Sequence, residues 1–516
     1  MFRSLIQRSG QDRIPGSVKK AVSILVLITV LSGTFYGCAS GSPASSAGPD
    51  SGKANTSLSS QSDADRDTER VPVDSALAAL DYGGREINIL NRIGSSYDAE
   101  IFPDELRNDP VDDSIYNSIK SVEEMLNVHI GSTRKNNPDV NSAVATMISS
   151  GDQTYDIVIG SVYYTIPMLT NGYMYNLLDN GIDTYLDPDS IWWPRYWLDE
   201  AMLGKDYLYS ITGAPALSLY KCIFATFYNK SLGERLGIEN LYDVVESGKW
   251  TLDFLSELVS PLYSSLNGDD YRDEEDQYGL IMDNYVHCDI FWSSCDFSLV
   301  ERDDEGWFET TTADKDKISR VFDWLLENIY SNHGVYFDEE NEHGSKVFTS
   351  GNALLGFFHL ADAESSSFRN MQDDYGILPT PKYDEHQKQY YSYSHDQYNV
   401  FMIPKTVRDP EMSGAVIESM AYEYYCFVHP VYYDVVLKGR YANDPESRQM
   451  LDRITQNIKI DPCWIYAVAL NEPCANVLRT PIMNHVNTFA SNFSNVTKRL
   501  PALLNGLRKT FENLGY

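Results

Sequence analysis

The chain is poor in basic residues and in cysteine. Of its 516 residues, 41 are Lys or Arg and 74 are Asp or Glu, so the formal net charge is −33. A chain this acidic has no electrostatic hold on nucleic acid phosphates, and binding to nucleic acid is not expected. The seven cysteines form no C-x-x-C pair. The sequence therefore gives no indication of a zinc or dithiol redox motif.

Catalytic and cofactor motifs are also absent. The chain has no G-x-S-x-G, H-E-x-x-H, G-x-x-x-x-G-K-[ST] or G-x-G-x-x-G sequence. The acidic stretch 269–276 lacks the alternating order of a calcium loop, and a solvated loop is the better interpretation. Glycoside hydrolysis needs two facing carboxylates, but among 74 acidic residues such a pair carries no signal. We expect a protein that is not an enzyme and has no cofactor or metal.

The overall composition is that of a folded, multidomain protein. Hydrophobic residues make up 43% and charged residues 22%, and 516 residues suit two or three domains. Aromatic residues are plentiful, at 12% with 36 Tyr. An acidic chain with many amphipathic rings is typical of an exported protein that handles polar, uncharged ligands.

The N-terminus has the pattern of an export signal. Residues 1–20 carry five basic residues against one acid, and the apolar run Ala21–Leu31 follows. This predicts a signal peptide over 1–37. Gly37-Cys38 resembles the end of a bacterial lipobox, which implies a lipidated Cys38 and an anchor on the extracellular face of the cell membrane. An ordinary signal peptide, with Cys38 incidental, is the alternative.

Residues 38–80 predict a disordered tether. The stretch Ala39–Arg70 is rich in Ser, Gly, Ala and Asp and has almost no large apolar residue to bury. Six cysteines remain beyond Cys38. Cys288 with Cys295, or Cys463 with Cys474, are close enough in sequence for disulfides in an oxidising exterior, and buried free thiols are the equal alternative.

The rest of the chain alternates strand-like and helix-like segments. Strands are predicted at Arg85–Leu90, Val128–Ile130 and Tyr155–Gly160, the last nearly all apolar as in a strand covered on both faces. Between them, helices are predicted over Ser114–Asn127 and Val140–Ser150. This order predicts βαβ units and a mainly parallel sheet. Further helices are predicted over Leu252–Tyr263, Lys315–Tyr330, Glu411–Val428 and Val477–Leu514, the last with a break at Pro501.

Six ordered segments, spread over roughly residues 83–516, carry a family resemblance. They are Tyr155–Val158 with Leu169–Leu177, Leu217–Leu219 with Phe227–Lys230 in a crossing strand, Gly248–Thr251 opening a helix, Phe348–Leu355, Tyr375–Lys382, and Asn399–Lys405 returning across the hinge. Together and in this order, they resemble segments of the carbohydrate-type extracellular solute-binding proteins of bacterial ABC importers. Many maltose-type members have an acid before the Leu217–Leu219 segment, whereas this chain has Ala214-Pro215. A maltose ligand is therefore disfavoured.

The resemblance implies an α/β, two-lobed, periplasmic-binding-protein-like fold of type II. Each lobe is a sheet flanked by helices, and a ligand binds in the cleft between them. Lobe 1 would comprise 83–213 and 398–455, and lobe 2 would comprise 214–397 and 456–516. The protein would be a monomer that captures a mono- or oligosaccharide and delivers it to ABC transporter permease subunits.

Candidate ligand contacts lie where predicted strands end, since open α/β sheets bind ligands there. Aromatic rings stack on the C–H faces of sugars, and polar side chains pair with the hydroxyls. The candidates are Tyr163, Tyr164, Asp289, Trp292, Phe357, Phe358, His359, Asp362 and Trp464. Of these, Phe357, Phe358 and His359 directly follow a strand predicted at Ala353–Gly356. For each aromatic residue, and more so for Trp193 and Trp197, core packing is the competing interpretation.

Three other functions remain open at this point. The chain could be a cell-surface glycan-active enzyme, or an adhesin that contacts polymers. The same fold could instead bind a peptide or another small solute.

Overall fold

The computed structural model describes residues 76–93, 103, 105–179, 184–269, 271–283, 285–339, 343–434, 437 and 444–514. The predicted signal peptide, Cys38 and most of the predicted tether lie outside the described residues. Among the residues described, no helix has both the length and the apolar character that a membrane crossing requires.

Eleven strands are present in the described part of the chain. In chain order they are β1 Arg85–Ile93, β2 Val128–Asn136, β3 Ile157–Ser161, β4 Phe224–Asn229, β5 Tyr278–Asp283, β6 Val300–Arg302, β7 Phe308–Thr310, β8 Val335–Asp338, β9 Ala353–His359, β10 Tyr375–Leu378 and β11 Asn399–Met402.

The same residues form eighteen α-helices. They are α1 Pro110–Leu126, α2 Asn137–Ser150, α3 Val162–Thr170, α4 Arg195–Ala201, α5 Ser218–Lys221, α6 Lys230–Leu236, α7 Leu241–Glu246, α8 Leu252–Val259, α9 Ile290–Ser294, α10 Lys315–Tyr330, α11 Gly344–Thr349, α12 Ser366–Arg369, α13 Pro410–Glu423, α14 Pro445–Gln456, α15 Pro462–Ile465, α16 Pro473–Val477, α17 Arg479–Met483 and α18 Phe489–Leu514.

The first lobe is built on a four-stranded sheet in the order β11-β3-β1-β2. β1 runs parallel to β2 and to β3, and β11 pairs antiparallel with β3. All five residues of β3 are buried, as predicted for a strand covered on both faces. The mainly parallel sheet predicted from the alternating pattern is thus confirmed for this lobe.

The second lobe is built on a five-stranded sheet in the order β10-β4-β9-β5-β8. β5 is parallel to β8 and β9, whereas β4 is antiparallel to both β9 and β10. β6 and β7 form a separate two-stranded ribbon. The mixed α/β class is therefore confirmed. α14 contacts β10 and α7 of the second lobe, although residues up to 455 were assigned to lobe 1, and the predicted domain boundaries remain predictions.

Local sequence signals explain where the long helices begin. The Asp109 carboxylate accepts hydrogen bonds from the backbone N–H groups of Val111 and Asp112, and Pro110 occupies the first turn of α1. Thr251 caps α8 by accepting from the Phe254 N–H. The segment Gly248–Thr251 was predicted to open a helix, and this prediction is confirmed.

Three local predictions are corrected by the structure. The Leu217–Leu219 segment was expected in a strand, but Ser218–Lys221 forms the short helix α5. The strand predicted at Ala353–Gly356 continues to His359. α18 shows no break at Pro501, because Leu500, Leu504 and Leu507 on one face remain buried through that turn.

Candidate functional site

Two chain segments cross side by side from one sheet to the other. In residues 211–224, Ile211 exchanges backbone hydrogen bonds with Phe401 of β11, in the first lobe. At the other end of this segment, the Phe224 N–H donates to the Tyr393 carbonyl at 2.9 Å, in the second lobe. Residues 392–402 make the return crossing. The side chains of Tyr393, His395 and Asp396 therefore lie on the junction between the lobes.

The start of α3 is bound to this junction. The Val162 and Tyr163 N–H groups donate to the carbonyls of Tyr398 and Asp396. The Ser161 hydroxyl also donates to the Asp396 carbonyl. Tyr163 thus follows a strand of the first lobe and lies at the crossing segment, which is the kind of position predicted for a ligand contact.

An ion pair brings the C-terminal segment to the second lobe. Arg479 Nη1 lies 2.6 Å from Asp289 Oδ2. Asp289 is only 1% exposed. Burial raises the pKa of Asp289 to about 7, although the Arg479 charge acts to lower it. A buried carboxylate with a raised pKa beside a single arginine is typical of a functional site.

Glu472 joins the same cluster from a strained turn. The Tyr163 hydroxyl donates to Glu472 Oε1 at 2.6 Å. Asn471 and Glu472 have φ angles of 60° and 51°. Two consecutive non-glycine residues in the left-handed region cost free energy, and such strain often occurs at ligand-binding positions.

Aromatic rings form a wall beside these charges. The Trp464 ring centroid is 5.8 Å from that of Tyr393, and Tyr393 lies parallel to Phe224 at 6.1 Å. His359 lies 3.8 Å from Phe224, and its ring stacks on His395 at 5.5 Å. Rings from both crossing segments and from β9 therefore pack together at the lobe junction.

The charged groups of this cluster act on one another. The Arg479 charge favours ionisation of Asp289, Asp396 and Tyr393. Burial raises the pKa of Asp396 to about 6, against the hydrogen bond from Gln397. Burial also holds the pKa of His395 well below its ordinary value, so this imidazole is neutral.

Four buried polar atoms of the cluster lack a hydrogen-bond partner within the described residues. They are Asp289 Oδ1, Tyr393 Oη, His395 Nδ1 and Trp464 Nε1. Most buried polar atoms in folded proteins are paired, and leaving one unpaired costs about 1–3 kcal/mol. The four atoms comprise acceptors and donors, so together they suit a polar ligand with hydroxyl groups.

The structure brings together four of the nine candidate residues: Tyr163, Asp289, His359 and Trp464. Phe357 lies two residues before His359 in β9, with its ring edge-on to His287. Asp362 caps the turn after β9 by accepting from the His359 N–H. Candidate residues from both lobes thus lie together at the lobe junction.

The remaining three candidates lie outside the cluster, although the Tyr164 ring is 5.2 Å from that of Tyr163. Trp292 is fully buried in α9, where its indole N–H donates to Asp461. Phe358 packs among Phe227, Phe348 and Phe368 on the opposite face of β9. Tyr164 is exposed on α3. The competing interpretation for Trp193 and Trp197 holds, since both are buried in the core.

Sequence reasoning missed five residues of the cluster, namely Tyr393, His395, Asp396, Glu472 and Arg479. The first three precede β11, in the segment before the strand that was predicted to return across the hinge. They could have been found by extending the search to residues before strands. No sequence signal marks Glu472 or Arg479.

Comparisons with known proteins support the architecture. No protein-family model matches the chain. No curated protein matches it either. Solved structures do match. The sugar-binding protein MalE of Xanthomonas citri is 12% identical, with a TM-score of 0.55 over 83% of this chain and 99% of that chain.

Two further structures give the same picture. The ABC substrate-binding protein Lmo0181 of Listeria monocytogenes, solved with cycloalternan, is 12% identical, with a TM-score of 0.52 over 82% of this chain and 99% of that chain. The GacH receptor of Streptomyces glaucescens, solved with acarbose, is 13% identical, with a TM-score of 0.51 over 82% of this chain and 99% of that chain. The chain therefore has the two-lobed, type II α/β fold of the sugar-binding proteins of ABC transporters.

Proposed function

We propose that this protein is the extracellular solute-binding component of an ABC importer and that it binds a carbohydrate between its two lobes. The observation that carries the proposal is the set of four unpaired buried polar atoms beside the wall formed by Trp464, Tyr393 and Phe224. Closure of the lobes around the ligand excludes water and strengthens each hydrogen bond. The ligand leaves unchanged to the permease.

Carbohydrate chemistry suits this arrangement better than an anionic ligand. Asp289, Asp396 and Glu472 provide three carboxyl groups around Arg479, so a negatively charged ligand would be repelled. Hydroxyl groups can donate to the carboxylates and accept from the indole N–H. The neighbours in the solved structures include proteins that bind cycloalternan and acarbose.

Two open grooves elsewhere on the described surface are weaker candidates. One, of about 380 Å³, lies along α16–α18 and is lined largely by Asn and Thr side chains. The other, of about 360 Å³, lies between Trp307 and α18. One polar side chain of the second groove, Thr310, has a buried atom without a partner, whereas the cluster at the lobe junction has four such atoms.

We further propose that Cys38 carries the lipid anchor. The proposal rests on Gly37-Cys38 closing the apolar run and on the Ser-rich tether that follows. When the full chain is expressed in a bacterial host, detergent phase separation should place it in the detergent phase. The Cys38→Ser variant should move to the aqueous phase. An intact chain found in the aqueous phase in both cases would contradict the anchor.

A thermal-shift screen tests the ligand class. The purified protein is heated with neutral mono- and oligosaccharides, with amino acids and with dipeptides. A ligand at 100 times its Kd should add about 2.7 kcal/mol of stability. If only amino acids or peptides shift the melt, the carbohydrate proposal is wrong. If a bound glycan is recovered cleaved, the protein is an enzyme.

Trp464→Phe is expected to weaken binding of the sugar found in that screen about fivefold, because a hydrogen bond from the indole N–H contributes about 1 kcal/mol net. The matched control is Trp292→Phe, since the Trp292 N–H donates to the buried Asp461. The control should lose about 1–3 kcal/mol more stability than Trp464→Phe, with affinity unchanged. Calorimetric titration and urea unfolding measure the two quantities. Equal affinities for the wild type and Trp464→Phe would remove Trp464 from the site.

A further inference from the structure

Cys463 and Cys474, for which the sequence leaves both a disulfide and free thiols open, lie close together in the fold. Cys463 is the second residue of α15 and Cys474 is the second residue of α16, and both are buried. Their sulfur atoms lie within 4.8 Å of each other. In the other pair close in sequence, Cys288 and Cys295, the Cys295 Sγ lies 3.9 Å from Ser294 Oγ.

A metal ion is the first alternative for this pair, because Asp461 Oδ, Cys463 Sγ and Cys474 Sγ lie within 4.8 Å of one another. Both Asp461 oxygens are, however, already used. Oδ1 accepts from the Cys463 N–H at 2.7 Å, and Oδ2 accepts from the Trp292 indole at 3.1 Å. Structural zinc sites need four ligands, and two thiolates with an engaged carboxylate do not complete one.

We propose that Cys463 and Cys474 form a disulfide in the exported protein. Both S–H bonds break and one S–S bond forms. The two protons and two electrons pass by thiol–disulfide exchange to the disulfide of a thiol oxidoreductase or to a small-molecule disulfide, and the accepting disulfide is reduced to two thiol groups. The proposal rests on export and is independent of the ligand.

The bond forms during folding rather than afterwards. Burial raises the pKa of the Cys474 thiol well above its ordinary value. A thiol without thiolate character and without access to solvent exchanges slowly in the native protein. The pair therefore becomes oxidised while the exported chain is still open to solvent.

The bridge would fix two residues of the ligand site. Trp464 follows Cys463 directly, and Glu472 lies two residues before Cys474. The loop between the cysteines is short, and closing it covalently limits the freedom of the unfolded chain. The strained Asn471-Glu472 turn is thereby held at the junction of the lobes.

Peptide mapping tests the disulfide directly. Cleavage after Lys459 and Arg479 releases a tryptic peptide, 460–479, that contains both cysteines and no others. The exported full chain is denatured in N-ethylmaleimide without reductant and then digested. We expect this peptide unlabelled and two hydrogens lighter than the dithiol form. After prior reduction it should carry two labels.

The chain provides its own matched control. Tryptic peptide 273–302 contains Cys288 and Cys295, and it should carry two labels whether or not reductant is used. Cys463→Ser should leave Cys474 labelled without reductant. Two labels on peptide 460–479 of the unreduced wild type would overturn the proposal. One equivalent of zinc per chain released by the label would overturn it in favour of a metal.

Discussion

Replacing Arg479 with methionine is expected to lower the free energy of unfolding by about 3–5 kcal/mol at pH 8. The change removes the only basic group within hydrogen-bonding distance of Asp289 in the described structure and leaves that carboxylate buried among Asp396 and Glu472. Methionine keeps most of the side-chain volume, so the loss reports on charge rather than on packing. Urea unfolding measures it.

The decrease in the free energy of unfolding caused by Arg479→Met should depend on pH in a defined direction. The pKa of Asp289 is about 7 in the folded protein, above its ordinary value. A raised carboxyl pKa contributes stability that is present at acid pH and is lost as the pH rises through that value. Without Arg479 the pKa rises further. The deficit of Arg479→Met relative to the wild type should therefore be larger at pH 8 than at pH 6.

Arg320→Met is the matched control. Arg320 lies 3.0 Å from Asp253, and both side chains are more than half exposed. Exposed ion pairs contribute at most about 1 kcal/mol, and the deficit of this control should change little between pH 6 and pH 8. If the two variants lose the same stability at both pH values, Arg479 does not stabilise the buried Asp289 carboxylate. The charges of the cluster would then not be coupled as described.

Ligand binding supplies a second measurement on Arg479→Met. Arg479 faces Asp289, Asp396 and Glu472 at the lobe junction. Without it, the carboxyl groups repel one another and Asp289 becomes protonated, which exchanges an acceptor for a donor. A sugar that binds the wild type should bind Arg479→Met at least tenfold more weakly. The same sugar should bind Arg320→Met with unchanged affinity.

The strands of the first lobe could be predicted because their signal is local. Tyr155–Gly160 is an apolar run of the length of one strand, and the structure has β3 at Ile157–Ser161. Lys315–Tyr330 shows helical periodicity and forms α10 with those bounds. In each case the buried face is encoded within one segment, so no distant contact is needed to identify it.

The end of β9 shows where local patterns fail. Gly356 was taken as the end of the strand, but pairing with β4 carries the strand on to His359. Side chains alternate along a strand. Phe357 and His359 therefore face the site, whereas Phe358 faces the opposite side of the sheet. An error of three residues in the strand boundary is enough to place Phe358 among the ligand contacts.

The C-terminal contribution to the site could not be predicted from the sequence. Arg479 is 190 residues from Asp289, and Glu472 is 309 residues from Tyr163. Both lie among the short helices α15–α17. The helix predicted over Val477–Leu514 includes Arg479 but not Glu472. Only the tertiary fold brings these residues to the crossing segments. Their role depends on long-range contacts that no periodicity encodes.

Near its start, the crossing segment 211–224 contains a glycine, Gly213, that has no room for a side chain. A Cβ at Gly213 would overlap the backbone oxygen of Trp192 and lie 2.8 Å from Cε3 of Trp193. Trp192 and Trp193 cannot move away easily, because their indole N–H groups donate to the buried Glu418, at 2.8 and 2.9 Å. The Ala214 N–H also donates to the Trp192 carbonyl.

Gly213→Ala is therefore expected to lower the free energy of unfolding by about 3 kcal/mol, the cost of forcing atoms into a filled interior. Gly506→Ala is the matched control. Gly506 lies in α18, and a Cβ there would have no atom within 4 Å. Alanine at this position should raise the stability by up to about 1 kcal/mol, since it favours helix. The two substitutions should thus shift the urea midpoint in opposite directions. Equal shifts of the urea midpoint would mean that Trp192 and Trp193 move to make room for the methyl group. Glu418 would then not fix the start of the crossing between the lobes.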